Sequence, residues 1–380
     1  MVLIKVMIVM METGFLTSKI IEMFINIDDK ILLQMKWWLY MSTVGSRLKK
    51  LREEHGYSQR QVAEYLEIDQ SNLSKIENDK RKLNLVLLDK ICYLYNCTPD
   101  FLLGKTNVYK NLKISFKSGN DMDLNVVAKI NQLNYHLDVL RRNDDKSYEV
   151  ERPRLNINLR RQFGLDDYCP IDIFTLIPQK IQNLTLVWFP MKRNVSGCCF
   201  KNNIDSIILI NSCNSIGRQN FTLAHELYHL LDDDDENFVI CSEEFKDDIE
   251  RKADEFASNF LMSKNALYDF IESNNIENWT IEDVVKCEQF FHLDHRNLIG
   301  RLYAEGLIDG SQFAEFSFNI IDKAANLGYD TSLYEKSIGK EYYSIGHMIP
   351  LTKKAYFDGL ISKGRKKDIL LDLFRDDIAY

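Results

Sequence analysis

Residues 221–232 read FTLAHELYHLLD, and this stretch decides how the second half of the chain folds. His225 and His229 stand four residues apart. On a helix that spacing puts both imidazoles on one face, one turn apart, where they can share a metal ion with Glu226 beside them. Apolar Phe221, Leu223, Ala224, Leu227 and Leu230 mark the helix as buried, and buried imidazoles need partners. The bare pattern also arises by chance. The flanking sequence has to supply the rest of a site.

A catalytic zinc takes three protein ligands and keeps one position open. Two third ligands compete. One spacing places the ligand at Asp235, but position 232 is Asp where that arrangement needs a Gly for its sharp turn. The other takes a Glu from a following helix, and IERKADEFASNFLMS supplies Glu250 with Asp254 one turn on. Phe256, Ala257, Phe260 and Leu261 would bury that helix beside the first. Glu250 is the preferred ligand. Asp254 then accepts the free N–H of a ligand histidine and fixes its tautomer. Read without the histidine pair, both carboxylates would be solvated charges on a surface helix.

GRQNFTLAHELYHLL followed by IERKADEFASNFLMS resembles the ImmA/IrrE family of metallopeptidase domains. Arg218, Phe221, Thr222, Ala253, Asp254, Phe256 and Ala257 carry the match, which extends over about residues 155–310. Two positions depart from the pattern: Tyr228 replaces a small residue, and Ser263 replaces the Pro that ends the second helix. The resemblance implies a gluzincin-like endopeptidase with Zn2+ on His225, His229 and Glu250, and Glu226 as general base. It also implies a protein substrate, a repressor or antitoxin, in a phage, mobile-element or stress-response circuit. For a second oxyanion donor Tyr228 is poorly placed by spacing, and His292 and His295 are considered, with packing or solvated roles the preferred reading of both. The acidic run Asp232–Glu236 reads as a solvated loop.

Upstream, residues 44–104 read as five short helices. Gly56 ends the first, Ser58 caps the second, the third runs from Gln70 to Glu77, Leu85–Tyr95 forms the fourth, and Thr98-Pro99 opens the fifth. SQRQVAEYLEIDQSNLSKIEN resembles the Xre/Cro family of helix-turn-helix repressors, which implies binding to a double-stranded DNA operator. A helix in the major groove reads bases with its N-terminal side chains, and Gln70, Ser71 and Asn72 stand there. The resemblance puts Gln59 on a phosphate and Ser74 and Lys75 close to DNA. Such domains often pair on palindromes, so a homodimer is among the expectations.

The net charge is -8, which excludes a chain basic throughout. Residues 41–105 hold eleven Lys/Arg against nine Asp/Glu, with Lys80, Arg81 and Lys82 clustered for backbone contact. The eight cysteines form no CxxC pair and read as reduced thiols of a cytoplasmic protein. Residues 1–40 open with MVLIKVMIVMMETGFL, which is apolar but interrupted by Lys5 and Glu12. That stretch is too short to span a bilayer comfortably, and residues 1–40 show no clear cleavage site, so no membrane partner is expected. Met41 is an alternative start, which would make them upstream sequence.

The expected class is α+β, mostly helical with a small sheet from Leu184–Phe189, Val195–Phe200 and Ile207–Asn211. The expected divisions are 1–40 extension, 41–105 helix-turn-helix, 106–153 linker with helix, 154–310 metallopeptidase and 311–380 helical tail. A second functional reading is a non-catalytic regulator or antitoxin that uses the peptidase fold as a sensor. A purely structural zinc is the weakest, because closed structural sites favour Cys.

Overall fold

The computed structural model describes residues 43–106, 115–116, 123–142, 149–155, 158–232, 238–242 and 247–380. Backbone contacts divide the chain into a helical unit ending at Tyr109 and a second unit from Lys110 to Tyr380, with Tyr93–Asn96 grouped with the second. The extension 1–40, Asp235 and most of the acidic run lie outside the described residues.

The first unit holds α1 (Val44–Glu54), α2 (Gln59–Tyr65), α3 (Gln70–Glu77), α4 (Leu85–Leu94) and α5 (Pro99–Leu102). Local chemistry sets these boundaries. Thr43 caps α1, and Gly56 leaves it at φ +69°, a left-handed turn that costs glycine little. Ser58 and Gln61 form a reciprocal capping box at α2. Thr98 caps α5 with Pro99 at its first position. Leu48, Leu51, Val62, Leu66, Leu73 and Ile76 are buried and hold α1, α2 and α3 together by removing apolar surface from water.

The second unit begins with β1 (Ser115–Phe116), α6 (Leu124–Leu140), α7 (Leu159–Gln162) and α8 (Ile173–Lys180). Then come β2 (Leu184–Phe189), β3 (Val195–Lys201), β4 (Ser206–Asn211) and α9 (Ile216–Leu231). After β5 (Phe238–Ser242) follow α10 (Asp248–Leu261), α11 (Lys264–Ser273), α12 (Ile281–Phe291), α13 (His295–Ala304), α14 (Gly310–Phe316) and α15 (Ile320–Asn326). The chain ends with β6 (Tyr343–Gly346), α16 (Met348–Phe357) and α17 (Lys363–Asp372). One mixed sheet orders its strands β1-β5-β3-β4-β2-β6. β4 is buried at every position, as a strand covered on both faces must be, and its SIILIN sequence has no polar alternation. Ile208, Ile210, Phe221, Leu227, Phe260 and Phe291 belong to one core on which sheet and helices meet.

The α+β class holds, with three more strands than the sequence suggested. β5 was not expected: the sequence between Asn220 and Leu307 has a helical pattern, and the strand falls inside it. β1 and β6 come from the expected linker and helical tail, and they form the two edges of the sheet. β6 pairs antiparallel with β2, Ile345 against Leu186, so the tail is not purely helical. Arg141, read as part of a linker, holds Asp205 with two bonds of 2.8 and 3.1 Å. Cys198 and Cys199 are buried free thiols in β3. No helix among the described residues is long and apolar enough to cross a membrane.

Candidate metal centre and recognition helix

Helix α9 starts at Ser215, whose hydroxyl accepts from the Arg218 N–H. It ends under Lys201 of β3, whose ammonium donates to the His229 carbonyl at 3.2 Å and to that of Asp232. A cation there neutralises the negative end of the helix. Helix α10 is capped by Asp247, which accepts from the N–H groups of Ile249 and Glu250. Glu250 therefore lies in the first turn, where a carboxylate is favoured.

The two helices bring three ligand atoms together. His225 Nε2 is 3.1 Å from Glu250 Oε2 and 3.2 Å from His229 Nε2, and His229 Nε2 is 3.2 Å from Glu250 Oε1. All three residues are buried. Asp254 Oδ1 meets the opposite ring nitrogen of His225, Nδ1, at 2.9 Å. With Nδ1 donating to Asp254, the neutral imidazole presents its Nε2 lone pair to a carboxylate and a second imidazole. Such an arrangement needs positive charge at its centre.

The electrostatics show the same need. Burial pushes the His225 pKa down, yet the bonds to Asp254 and Glu250 and the nearby Glu226 charge raise it to about 9. Burial pushes Glu250 up, and His225 and His229 outweigh it, holding the carboxyl at about 2. The donor set fits a zinc-like ion. Bonds of about 2.0–2.1 Å in tetrahedral directions separate neighbouring ligand atoms by roughly 3.3 Å, close to the distances seen here.

Glu226 is fully buried on the same helix and faces β3 at Gly197. A Cβ at Gly197 would stand 2.6 Å from Thr222 Cγ2, 2.9 Å from Glu226 Oε1 and 3.0 Å from the Leu209 carbonyl. Only glycine leaves room for the Glu226 carboxylate under the strand. A cleft of about 490 Å³ opens over the cluster, reaching from His225 and Glu250 to Ser196, Arg218, Arg296 and Asn297. Arg218 donates to Ser196 Oγ at 3.1 Å and lies over the Phe221 ring at 5.3 Å. Sequence reasoning missed Ser196, Gly197 and Asn297. A glycine inside an otherwise apolar strand was the available signal, since it marks a close approach of another element.

The oxyanion candidates do not join this cleft. Both ring nitrogens of His295 are taken, Nδ1 by Glu288 at 2.6 Å and Nε2 by the Phe316 carbonyl at 3.0 Å. His292 ends α12 at φ +55° and is exposed. Tyr228 packs edge-on to His229 and against Phe256, each 5.7 Å away, and does not line the cleft. Ser263 takes the place of a helix-ending Pro by capping α11, accepting from Ala266 N–H at 3.0 Å.

In the first unit, Gln70 and Ser71 are exposed on the opening turn of α3. Asn72 beside them accepts from Arg81 at 2.7 Å. Gln59 Oε1 is 3.5 Å from Gln70 Nε2, and its amide donates to Glu77 at 2.8 Å. Lys75 is exposed and Ser74 half-buried. The Lys75 carbonyl accepts from the N–H groups of Lys80 and Arg81, which folds the exposed basic cluster Lys80–Lys82 back next to α3. Amide side chains at the helix start and cations beside it have the chemistry for base and phosphate contact respectively.

Comparison with known proteins matches residues 48–102 to the helix-turn-helix family model and residues 190–292 to the IrrE N-terminal-like domain. Over 68 residues the chain is 44% identical to the HTH-type transcriptional regulator ImmR of Bacillus subtilis, covering 18% of this chain and 54% of that protein. It is 37% identical over 68 residues to the SPbeta prophage-derived uncharacterized HTH-type transcriptional regulator YonR of the same organism, covering 18% and 63%. It is 41% identical over 62 residues to the HTH-type transcriptional regulator RamB of Mycobacterium tuberculosis, covering 16% and 13%. The matched segment thus spans about half of ImmR and a small part of RamB. The chain carries an Xre-type helix-turn-helix domain at residues 48–102 and an IrrE/ImmA-like domain at residues 190–292.

Proposed function

We propose that this protein is a DNA-binding transcriptional regulator whose second unit is a zinc-dependent endopeptidase acting on a regulatory protein, a repressor or antitoxin. The observation that carries it is the triangle of His225, His229 and Glu250 ligand atoms at 3.1–3.2 Å, with Glu226 buried on the same helix. A structural site would close with a fourth protein ligand, commonly Cys. Here the cluster opens to a cleft.

Zinc bound at these three residues would supply Lewis acidity and lower the pKa of a water to about 7. Asp254 holds the His225 ring with Nε2 turned inward. Glu226 takes the proton from the attacking water and passes it to the leaving amine. The cleft admits an extended segment of the substrate, and the fold excludes bulk water from below, where α9 and β3 are buried. In the first unit Gln70, Ser71 and Asn72 read base edges, while Gln59, Ser74 and Lys75 with Lys80–Lys82 fix the helix on the phosphates. Two copies on a palindromic operator would double that footprint.

The test joins metal analysis of the purified protein with a proteome-wide comparison of cells carrying wild type and Glu226→Gln. About one zinc per chain, and a regulatory protein cleaved only by wild type, is the expected result. A protein that holds no zinc, or cleavage unchanged in Glu226→Gln, would sink the reading. Regulation unaffected by Glu226→Gln but abolished by Gln70→Ala would favour the sensor alternative.

A further inference from the structure

A threonine inside a helix ordinarily turns its hydroxyl to the carbonyl four residues back. Thr222 does not. Its residue is 1% exposed, and its Oγ1 is buried with no hydrogen-bond partner among the described residues. Leaving such a hydroxyl unpaired costs stability that a valine of the same shape would avoid. Thr222 stands one helical turn before Glu226, so the two share a face of α9. They also converge across the strand: Thr222 Cγ2 and Glu226 Oε1 lie 2.6 and 2.9 Å from the point where a Gly197 Cβ would be. One rotamer step at χ1 exchanges the methyl and hydroxyl positions of a threonine. The methyl carbon Cγ2 is the Thr222 atom that meets this gap alongside Glu226 Oε1.

We propose that Thr222 is a positioning residue for Glu226, whose hydroxyl swings over the Gly197 gap to donate to the Glu226 carboxylate and hold it towards the cleft during reaction. The inference rests on the peptidase reading above. Thr222 stands in the wall of the cleft, and the role proposed for it is exerted through Glu226. The donated hydrogen bond keeps the carboxylate from rotating away from the proton it must take, and small displacements of a catalytic group cost rate steeply. Gly197 is the other half of the device, because it leaves the space in which the rotamer change happens.

The experiment compares full-length wild type, Thr222→Val and Thr222→Ser in two forms. The zinc-loaded proteins are assayed on the peptide that wild type cleaves best from a proteome-derived peptide pool. Cobalt-substituted proteins are read by their visible absorption, which reports the surroundings of the metal without any turnover. Thr222→Val is expected to lower kcat about 10- to 100-fold with KM within about twofold. Its metal content should match wild type, its cobalt bands should shift, and its metal-free melting temperature should be equal or higher. Thr222→Ser should restore both rate and bands.

Wild-type turnover or unshifted cobalt bands in Thr222→Val would overturn the proposal. So would a fall in its metal-free melting temperature that Thr222→Ser shares, since that marks a merely structural residue. A wild type that cleaves nothing in the pool, while Thr222→Val shifts the cobalt bands and Thr222→Ser does not, counts against the peptidase reading and for the positioning contact.

Discussion

Arg52 and Glu77 meet inside the helix-turn-helix unit as a two-pronged ion pair, Nε to Oε1 at 2.6 Å and Nη2 to Oε2 at 3.1 Å. Both residues are under a tenth exposed, and Gln59 donates to the same carboxylate. The pair therefore ties α1 to the end of α3 and orients the first residue of α2. Glu77→Gln removes the charge facing the buried guanidinium, which keeps the Tyr57 carbonyl and the more distant Glu53, and removing one partner of such a pair costs about 3–5 kcal/mol. The expected outcome is a large drop in the melting temperature of the first unit. A variant that melts like wild type would show the pair to be dispensable.

DNA binding should separate into two terms. Gln70→Ala is expected to cost about 1–3 kcal/mol on the cognate operator and relax its sequence preference. Lys80→Ala should weaken binding to all sequences alike and reduce the salt slope by about one. Titrations at several salt concentrations, on operator and scrambled duplexes, distinguish them.

Metal affinity should report the roles within the cluster. Glu250→Gln and His229→Ala remove a ligand and should abolish stoichiometric zinc. Asp254→Asn keeps all three ligands and should weaken zinc about 10- to 100-fold. Competition against a chromogenic chelator measures each. Equal affinity in Asp254→Asn would leave its 2.9 Å contact with His225 without a role in metal binding.

The C-terminal helix should loosen in acid. His136 on α6 is fully buried, meets Asp372 of α17 at 2.7 Å and faces Arg365 at 3.1 Å and Lys129 nearby. Burial depresses its pKa below the usual 6.5, against the pull of Asp372. The unfolded chain then binds the proton more readily, so this contribution is complete above about pH 6.5 and is lost as pH falls through the folded value. Protection factors of α17 amides, with the intrinsic pH dependence of exchange divided out, should fall between pH 7.5 and 5.5 in wild type, and less steeply in His136→Asn. A slope shared by both would place the acid sensitivity elsewhere.

Gly197→Ala should be more damaging than its single methyl suggests. The new Cβ meets Thr222, Glu226 and a strand carbonyl at once, and overpacking of this kind costs about 1–3 kcal/mol. Cleavage should fall further than stability, because Glu226 is among the displaced groups. A lowered melting temperature with full turnover would contradict that ordering.

The sequence was legible where chemistry is local. Caps, the left-handed Gly56 and the helical spacing of His225, His229, Glu250 and Asp254 each depend on residues a few positions apart. It was opaque where distant segments meet. YSIG at 343–346 is too short to show a period, and it becomes β6 only because β2 offers an edge. His295 reads as a packing or solvated side chain, but nothing nearby in sequence reveals that Phe316 and Glu288 are the groups that engage its two nitrogens. Ser196 and Asn297 reach the cleft from elements a hundred residues apart, so no local pattern could pair them.

The late arrival of β6 also matters during synthesis. LTLVWF of β2 is apolar along most of its length, and its outer edge stays unpaired until residues 343–346 leave the ribosome. At about 5–20 residues per second that interval lasts roughly ten seconds or more. Exposed apolar edges of this kind recruit other chains. The helix-turn-helix, complete by residue 106, needs no such wait. A nascent chain thus gains its DNA-reading half well before its second unit can close, and a ribosome stalled in between would leave the first half folded beside an aggregation-prone strand.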